Sequence, residues 1–240
     1  MFILIPTDVE TLEREKPWMN WVVIGITVAF YFVTLGVEEA DWLVNMVLVD
    51  WNPMGVFGHL LLHGDFMHLA GNMIFLWTFG NVVCRTAGNK WYLWLYLLGG
   101  LGAAATHLLV DGGAAVGASG AINGMVGIAL ALFPFNKVDV RWVILYHSGT
   151  FQIKLWVLAS IWFVFDLWGA LSQSGGVAYA AHIGGLLTGL GTGMALLGSG
   201  QILLSVFDQI SLWELITGTE LERLDDEIDN GVGAEESAGF

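Results

Sequence analysis

The chain has 240 residues, 56% of them hydrophobic and only 12% charged, with a mean hydropathy of +0.69. A composition this apolar excludes an ordinary soluble domain and points to a membrane. The formal charge of −14 belongs mostly to one end, since ten of the 22 carboxylates follow residue 200, so neither a basic partner nor nucleic acid is expected. Cys84 is the sole cysteine, which rules out an intramolecular disulfide, and no Cys/His grouping suggests a metal or another cofactor.

In chain order, residues 1–16 form a short N-terminal segment. Apolar Met1 to Ile5 come first, and Asp8, Glu10, Glu13, Arg14, Glu15 and Lys16 follow before the first long apolar run. That is not the order of a cleavable signal peptide, so the first span is expected to serve as the insertion signal. A bilayer core about 30 Å thick needs roughly 20 apolar helical residues. Six segments qualify: 18–35, 66–84, 91–110, 116–135, 155–171 and 177–197. The stretch 42–62 is also apolar, but it carries Asp50 and the helix-breaking pair Asn52-Pro53, so an interfacial or re-entrant loop is expected, with Trp42 and Trp51 at headgroup level.

Basic residues concentrate in cytoplasmic loops. With six spans, Arg14, Lys16, Arg85, Lys90, Lys137, Arg141, Lys154 and Arg223 all fall on one side, and a seventh span at 42–62 would destroy that asymmetry. The expected architecture is therefore an all-α polytopic membrane protein. It has a cytoplasmic segment at 1–16, a six-transmembrane-helix bundle at 17–199, and a cytoplasmic C-terminal part at 200–240. Within the last part, Leu203, Val206, Ile210, Trp213 and Thr217 alternate at intervals of three and four, which predicts an amphipathic helix over 200–218. An acidic tail expected to be disordered follows it.

Polar side chains inside a span are costly and are candidates for function. Four stand out: His68 and Asn72 in the second span, Ser119 in the fourth and His182 in the sixth. Each has a bland explanation, because serine in a membrane helix usually fills space and a lone His or Asn often serves as interhelical glue. Together they fall in one layer. Spans two, four and six all run inward from the outer face, which puts Asn72 and His182 each roughly 10 Å deep at 1.5 Å per residue, with His68 one turn above Asn72. Gly120, Gly124 and Gly127 in one helix and Gly185, Gly189 and Gly193 in the other would let those helices pack backbone to backbone. Ser119 would then stand within reach of the His182 imidazole, as general-base activation requires. Ser119 is also expected in a first helical turn, where unpaired N–H groups and the helix dipole favour an oxyanion.

These residues resemble the rhomboid family of intramembrane serine proteases. His63-Gly-Asp-Phe-Met-His68-Leu-Ala-Gly-Asn72 is similar to the family's HxxxN element with an additional upstream His. Gly117-Ala-Ser119-Gly120 is similar to its GxSG, and Ala181-His182-Ile-Gly-Gly185 to its AHxxG. The resemblance covers about residues 17 to 199. It implies a rhomboid-like six-helix bundle, a Ser119–His182 dyad, an oxyanion hole lined by His68, Asn72 and the Ser119 N–H, and a fifth span that acts as a lateral gate. His63 is read as a structural residue at the mouth of the site, and Asp166 as structural. Two positions depart from some members: Asn123 stands where an aromatic stacks on the histidine, and an amide there could bond the imidazole instead; Gly71 replaces a bulky residue, which implies a wider entrance.

The expected activity is endoproteolysis of transmembrane-helix substrates near the outer face, in a bacterial inner membrane with both termini cytoplasmic. A helical carbonyl is shielded, so substrates should unwind, helped by Gly or Pro just beyond the cut. Two other classes would leave different marks. A rhomboid-like protein that binds membrane helices without cutting them usually lacks the serine or the histidine, and both are present. A transporter using His68, His182 and Asp166 as a polar path would show inverted repeats or paired broken helices, and the chain has neither.

Overall fold

The computed structural model describes residues 2–12, 15–37, 40–172 and 176–224. Strand β1 (Phe2–Val9) opens the chain, and α1 (Trp18–Thr34) follows. Two short helices come next, α2 (Asp41–Val44) and α3 (Pro53–Gly58). The break between them is where Asn52-Pro53 predicts one: Asn52 caps α3 by accepting from the Met54 N–H, with Pro53 at the first helical position. The segment 42–62 thus holds no continuous helix.

Helix α4 (Phe66–Phe75) begins at Asp65, whose carboxylate accepts the His68 N–H. It continues through a π-helical turn (Leu76–Gly80) into α5 (Asn81–Ala87). The π turn has a visible cause. Asn20 of α1 donates its amide to the Leu76 carbonyl at 2.9 Å and to Asn81 Oδ1 at 2.8 Å, and Tyr92 donates to Asn20 Oδ1. A side chain inserted in the ladder displaces the usual i−4 bond. Helices α6 (Asn89–Val110), α7 (Ser119–Leu132), α8 (Leu155–Ser172) and α9 (Tyr179–Gly198) complete the bundle.

Among the described residues, four helices are long and apolar enough to cross a membrane: Phe66–Ala87, Asn89–Val110, Leu155–Ser172 and Tyr179–Gly198. Trp18–Thr34 and Ser119–Leu132 are apolar but shorter, at 17 and 14 residues.

The centre of the bundle is α6, α7 and α9, packed through glycine. A Cβ on Gly185 would fall on the Gly120 carbonyl oxygen, one on Gly189 on the Gly124 carbonyl oxygen, and one on Gly127 on the Leu186 carbonyl oxygen. The α7 and α9 backbones therefore touch. In a lipid environment such contact works through van der Waals packing, because apolar side chains gain little by leaving apolar lipid. Phe79, Tyr92, Met125, Ile128 and Leu132 fill the adjoining core.

The expectation of an all-α chain needs correction. Strand β2 (Lys137–Ile144) and strand β3 (His147–Lys154) form a hairpin between α7 and α8, and β1 adds to it antiparallel, giving the order β1-β2-β3. Val9 pairs with Val138 and Ile144 with His147 across a two-residue turn in which Leu145 takes φ 53°. The amphipathic helix expected over 200–218 is also corrected. Only Leu212–Thr217 is helical (α10), because the capping box of Ser211 and Glu214 starts a helix there and Gly218 ends it at φ 67°. Before it, Gly200 takes φ 70°, and Leu204–Ser205 (β4) pairs in parallel with Arg223–Leu224 (β5). Arg223 clamps the unit by donating to both Glu214 carboxylate oxygens at 2.8 and 2.7 Å. Burial pushes the Glu214 carboxyl up, but the hydrogen bonds from the Ser211 N–H, Arg223, the Ser211 hydroxyl and the Leu221 N–H together hold it down at about 2. The acidic tail expected from residue 225 onward lies outside the described residues.

The sheet and the C-terminal unit meet at one end of the bundle. Asn136, just after α7, donates to the Glu10 carbonyl at 2.7 Å and to Asp208 Oδ1 at 3.4 Å. Ser119 is at the other end of α7, about 21 Å away along its 14 residues.

Candidate active site

Ser119 is the first residue of α7, and the loop that leads to it is pinned on three sides. Leu48 and Ala115 form an antiparallel bridge, the Gly117 N–H donates to the His59 carbonyl at 2.9 Å, and His107 Nε2 bonds the Gly113 carbonyl at 2.7 Å. Gly117 itself takes φ 121°, a conformation that side chains strain, and a Cβ there would stand 2.7 Å from His68 Nε2. Glycine at 117 therefore allows the His68 ring to lie against the turn that presents the serine. Gly120 has a similar role one residue on, since its Cβ would come within 2.5 Å of the Ala103 methyl group. The first turn of α7 receives no side-chain cap from its N-cap residue Ala118.

His182 lies in the first turn of α9. Because Gly185 and Gly189 let α9 lie on α7, its Nε2 reaches Ser119 Oγ at 2.9 Å. The other ring nitrogen, Nδ1, is 3.0 Å from Asp166 Oδ1 of α8. Both side chains are mostly enclosed, 17% and 18% exposed. The Tyr179 ring stands edge-on to the imidazole at 6.3 Å.

On α4, Asn72 is buried and donates its amide to His63 Nε2 at 2.9 Å, and the His63 and His68 rings lie 5.1 Å apart. His63 accepts at Nε2, so its proton is on Nδ1, directed at the Leu61 carbonyl 3.4 Å away. Burial first, and the neighbouring His68 second, push the His63 pKa down to about 4. It is therefore neutral and able to accept at any pH near 7.

Ser119, His182, His68 and Asn72 line one cavity of about 330 Å³, together with Asp166 and Asn123. The four residues singled out from sequence are thus brought together, with His63, Gly117, Gly120 and Gly185 around them. Asn123 does not meet the imidazole. Its amide donates back to the Ser119 carbonyl at 3.0 Å, one turn earlier on its own helix. At Gly71 an added Cβ would meet nothing within 4 Å, so the cavity is open on that side. Asp166, read from sequence as structural, is bonded to the histidine. An ionisable residue in an apolar span was the available signal, but its partner is sixteen residues away on another helix. No group of His, Cys, Asp and Glu that could hold a metal occurs among the described residues.

Chemically, an imidazole with one nitrogen on a carboxylate and the other on a hydroxyl can take up the hydroxyl proton as a general base.

Comparison with known proteins identifies the family. Residues 50–199 match the Rhomboid domain family model. Rhomboid protein 1, mitochondrial, of Saccharomyces cerevisiae is 30% identical over 148 residues, covering 58% of this chain and 40% of that protein. Rhomboid protease GluP of Bacillus subtilis is 26% identical over 199 residues, covering 79% of this chain and 37% of its own length. RHOMBOID-like protein 5 of Arabidopsis thaliana is 32% identical over 143 residues, covering 57% and 41%. The chain spans about two-fifths of the length of these relatives. With a family match over well more than half of its length and apolar helices to suit, the chain is an integral membrane protein and belongs to the rhomboid family.

Proposed function

We propose that this protein is an intramembrane serine endopeptidase that cuts transmembrane segments of other proteins near the outer face of the bilayer. The observation that carries the reading is the 2.9 Å contact between Ser119 Oγ and His182 Nε2. In the reaction, Oγ attacks the scissile carbonyl while Nε2 takes its proton. The tetrahedral oxyanion is held by the Ser119 N–H with the His68 ring and the second amide hydrogen of Asn72. The imidazolium then returns the proton to the departing amine, and water, activated by the same nitrogen, frees the acyl group from Ser119.

The proposed topology has six crossings with both termini inside a bacterial plasma membrane. Two observations support it. The joining of Glu10, Asn136 and Asp208 at one end requires an even number of crossings on each side of Asn136, and the broken segment 42–62 adds none. A 14-residue α7 also reaches only about 21 Å into a core of about 30 Å, which leaves Ser119 roughly a third of the way down from the outer face, where water can follow. Reporters fused before Lys16 and after Gly200 are expected on the same, cytoplasmic, side.

The test is cleavage in liposomes of a single-span substrate with Gly or Pro just beyond a small residue near its outer end. Ser119→Ala and His182→Ala are each expected to abolish cutting in a folded protein, and Leu in place of the helix breakers to slow it. Near-normal turnover by either variant would refute the assignment. Binding of the substrate helix without cutting by the unaltered protein would indicate a helix-binding family member instead.

A further inference from the structure

We propose that Asp166 is a positioning residue that turns the serine–histidine pair into a three-membered relay, Asp166–His182–Ser119, within the helix bundle. The inference rests on the protease reading above. A carboxylate can only accept hydrogen bonds, so the 3.0 Å contact with Asp166 Oδ1 fixes the imidazole proton on Nδ1. The lone pair is then on Nε2, 2.9 Å from the hydroxyl it must deprotonate. Without the carboxylate both tautomers are open, and the one with its proton on Nε2 cannot accept from Ser119.

The surroundings of Asp166 argue that this contact is what the residue is for. Leu167 and Trp168, which follow it on α8, are exposed at 40 and 72% and do not line the cavity, whereas the Asp166 side chain lines it and is 18% exposed. Its hydrogen bond among the described residues is to His182. An ionisable side chain in an apolar span is expensive, and a neutral residue could tether α8 to α9 without that cost. The charge acquires a use during the reaction. When His182 takes the serine proton it becomes a cation, faced by His68 from α4, Tyr179 on its own helix, Ser119 from α7 and Asp166 from α8. Asp166 is the carboxylate in contact with it and stabilises the imidazolium. The proton remains on the imidazole throughout.

The rival account, a tether between α8 and α9, predicts lower stability in proportion to lost activity. The experiment measures the rate at which a small fluorophosphonate labels Ser119 in detergent, together with kcat and KM on the liposome substrate. The proteins are the unaltered chain, Asp166→Asn and Asp166→Ala, each with its melting temperature. The variants are expected to label and turn over about 100- to 10,000-fold more slowly, with KM within about twofold and folding preserved. Sodium formate, a carboxylate small enough for the space left by Asp166→Ala, is expected to raise that variant's labelling at least tenfold where equal sodium chloride does not. Folded Asp166→Asn that labels within about threefold of the unaltered chain would overturn the proposal, as would a slow Asp166→Ala that formate fails to accelerate. If the unaltered chain itself neither labels nor cuts, the protease reading falls and takes this proposal with it.

Discussion

The α7–α9 seam and helix α8 are both apolar and both contribute to the site, yet they are built on opposite principles. At the seam, glycines 120, 124, 127, 185 and 189 bring two backbones into contact and leave no room for a methyl group. Helix α8 is held at its start by buried Leu155, Leu158 and Ala159 and by Trp162 packed against Phe75 and edge-on to Phe79, while Val164, Trp168 and Leu171 are exposed. The difference teaches where rigidity is needed. Ser119 and His182, the proposed nucleophile and base, sit on that close-packed pair. The helix that contributes Asp166 and walls the cavity is the least buried of the four long apolar helices among the described residues.

The sharpest way to break this comparison is to place a side chain in the seam. Gly185→Leu must displace the Gly120 carbonyl, one residue from Ser119. Overpacking costs about 1–3 kcal/mol where side chains can yield, and here the obstacle is backbone. Loss of folded protein or of all labelling at Ser119 is expected, measured by detergent melting and fluorophosphonate attachment. On α8, Trp168→Leu on the outer face should change stability by no more than about 0.5 kcal/mol, and equal damage at the two positions would erase the distinction.

Next in size is Asn72→Ala on the facing helix. Removing one oxyanion donor lowers rates by about 100- to 1000-fold, and kcat in the liposome assay should fall by that order, with melting little changed. A complete loss equal to that of Ser119→Ala would mean that Asn72 does more than donate one bond.

The smallest effect sharpens the account of what orients Asn72. His63 is held neutral by burial, its pKa moved from 6.5 to about 4. An unfolded chain binds the proton below 6.5 and the folded one only below about 4, so the unfolded state carries more protons in that window and stability falls as pH drops through it. Melting temperature is therefore expected to decline between pH 6.5 and 4, and less steeply in His63→Gln, with the two curves flat and parallel above pH 7. Identical slopes for both proteins would remove the role assigned to His63.

Much of this was legible in the sequence, for reasons that also explain what was not. The six apolar runs end within a few residues of the observed helices because breakers bound them: Asp65 caps one start, Gly88 ends α5, and Gly117 precedes Ser119. The polar residues of the site were legible because each is an anomaly in an apolar helix. The sheet was not, although Val138, Val140 and Trp142 alternate, because one of the two partners of β2 lies some 130 residues upstream in a short segment and the other, β3, follows within the same loop without a like apolar alternation. The stripe from Leu203 to Thr217 was misleading. Its spacing is helical, but the positive φ at Gly200 and the Ser211 cap confine the helix to six residues, and the charged Arg223–Glu214 pair organises the rest. Asp166 was visible as an anomaly, while its bond to His182 depends on how α8 packs, which no local pattern encodes.

The central claim is that Ser119 is a nucleophile made reactive by His182. Its most direct test is to treat the purified full chain with a fluorophosphonate and locate the adduct by peptide mass. The account predicts one modified residue, Ser119, and loss of the adduct in folded His182→Ala. Labelling that persists without His182, or that falls on a different serine while Ser119 stays unmodified, would contradict it.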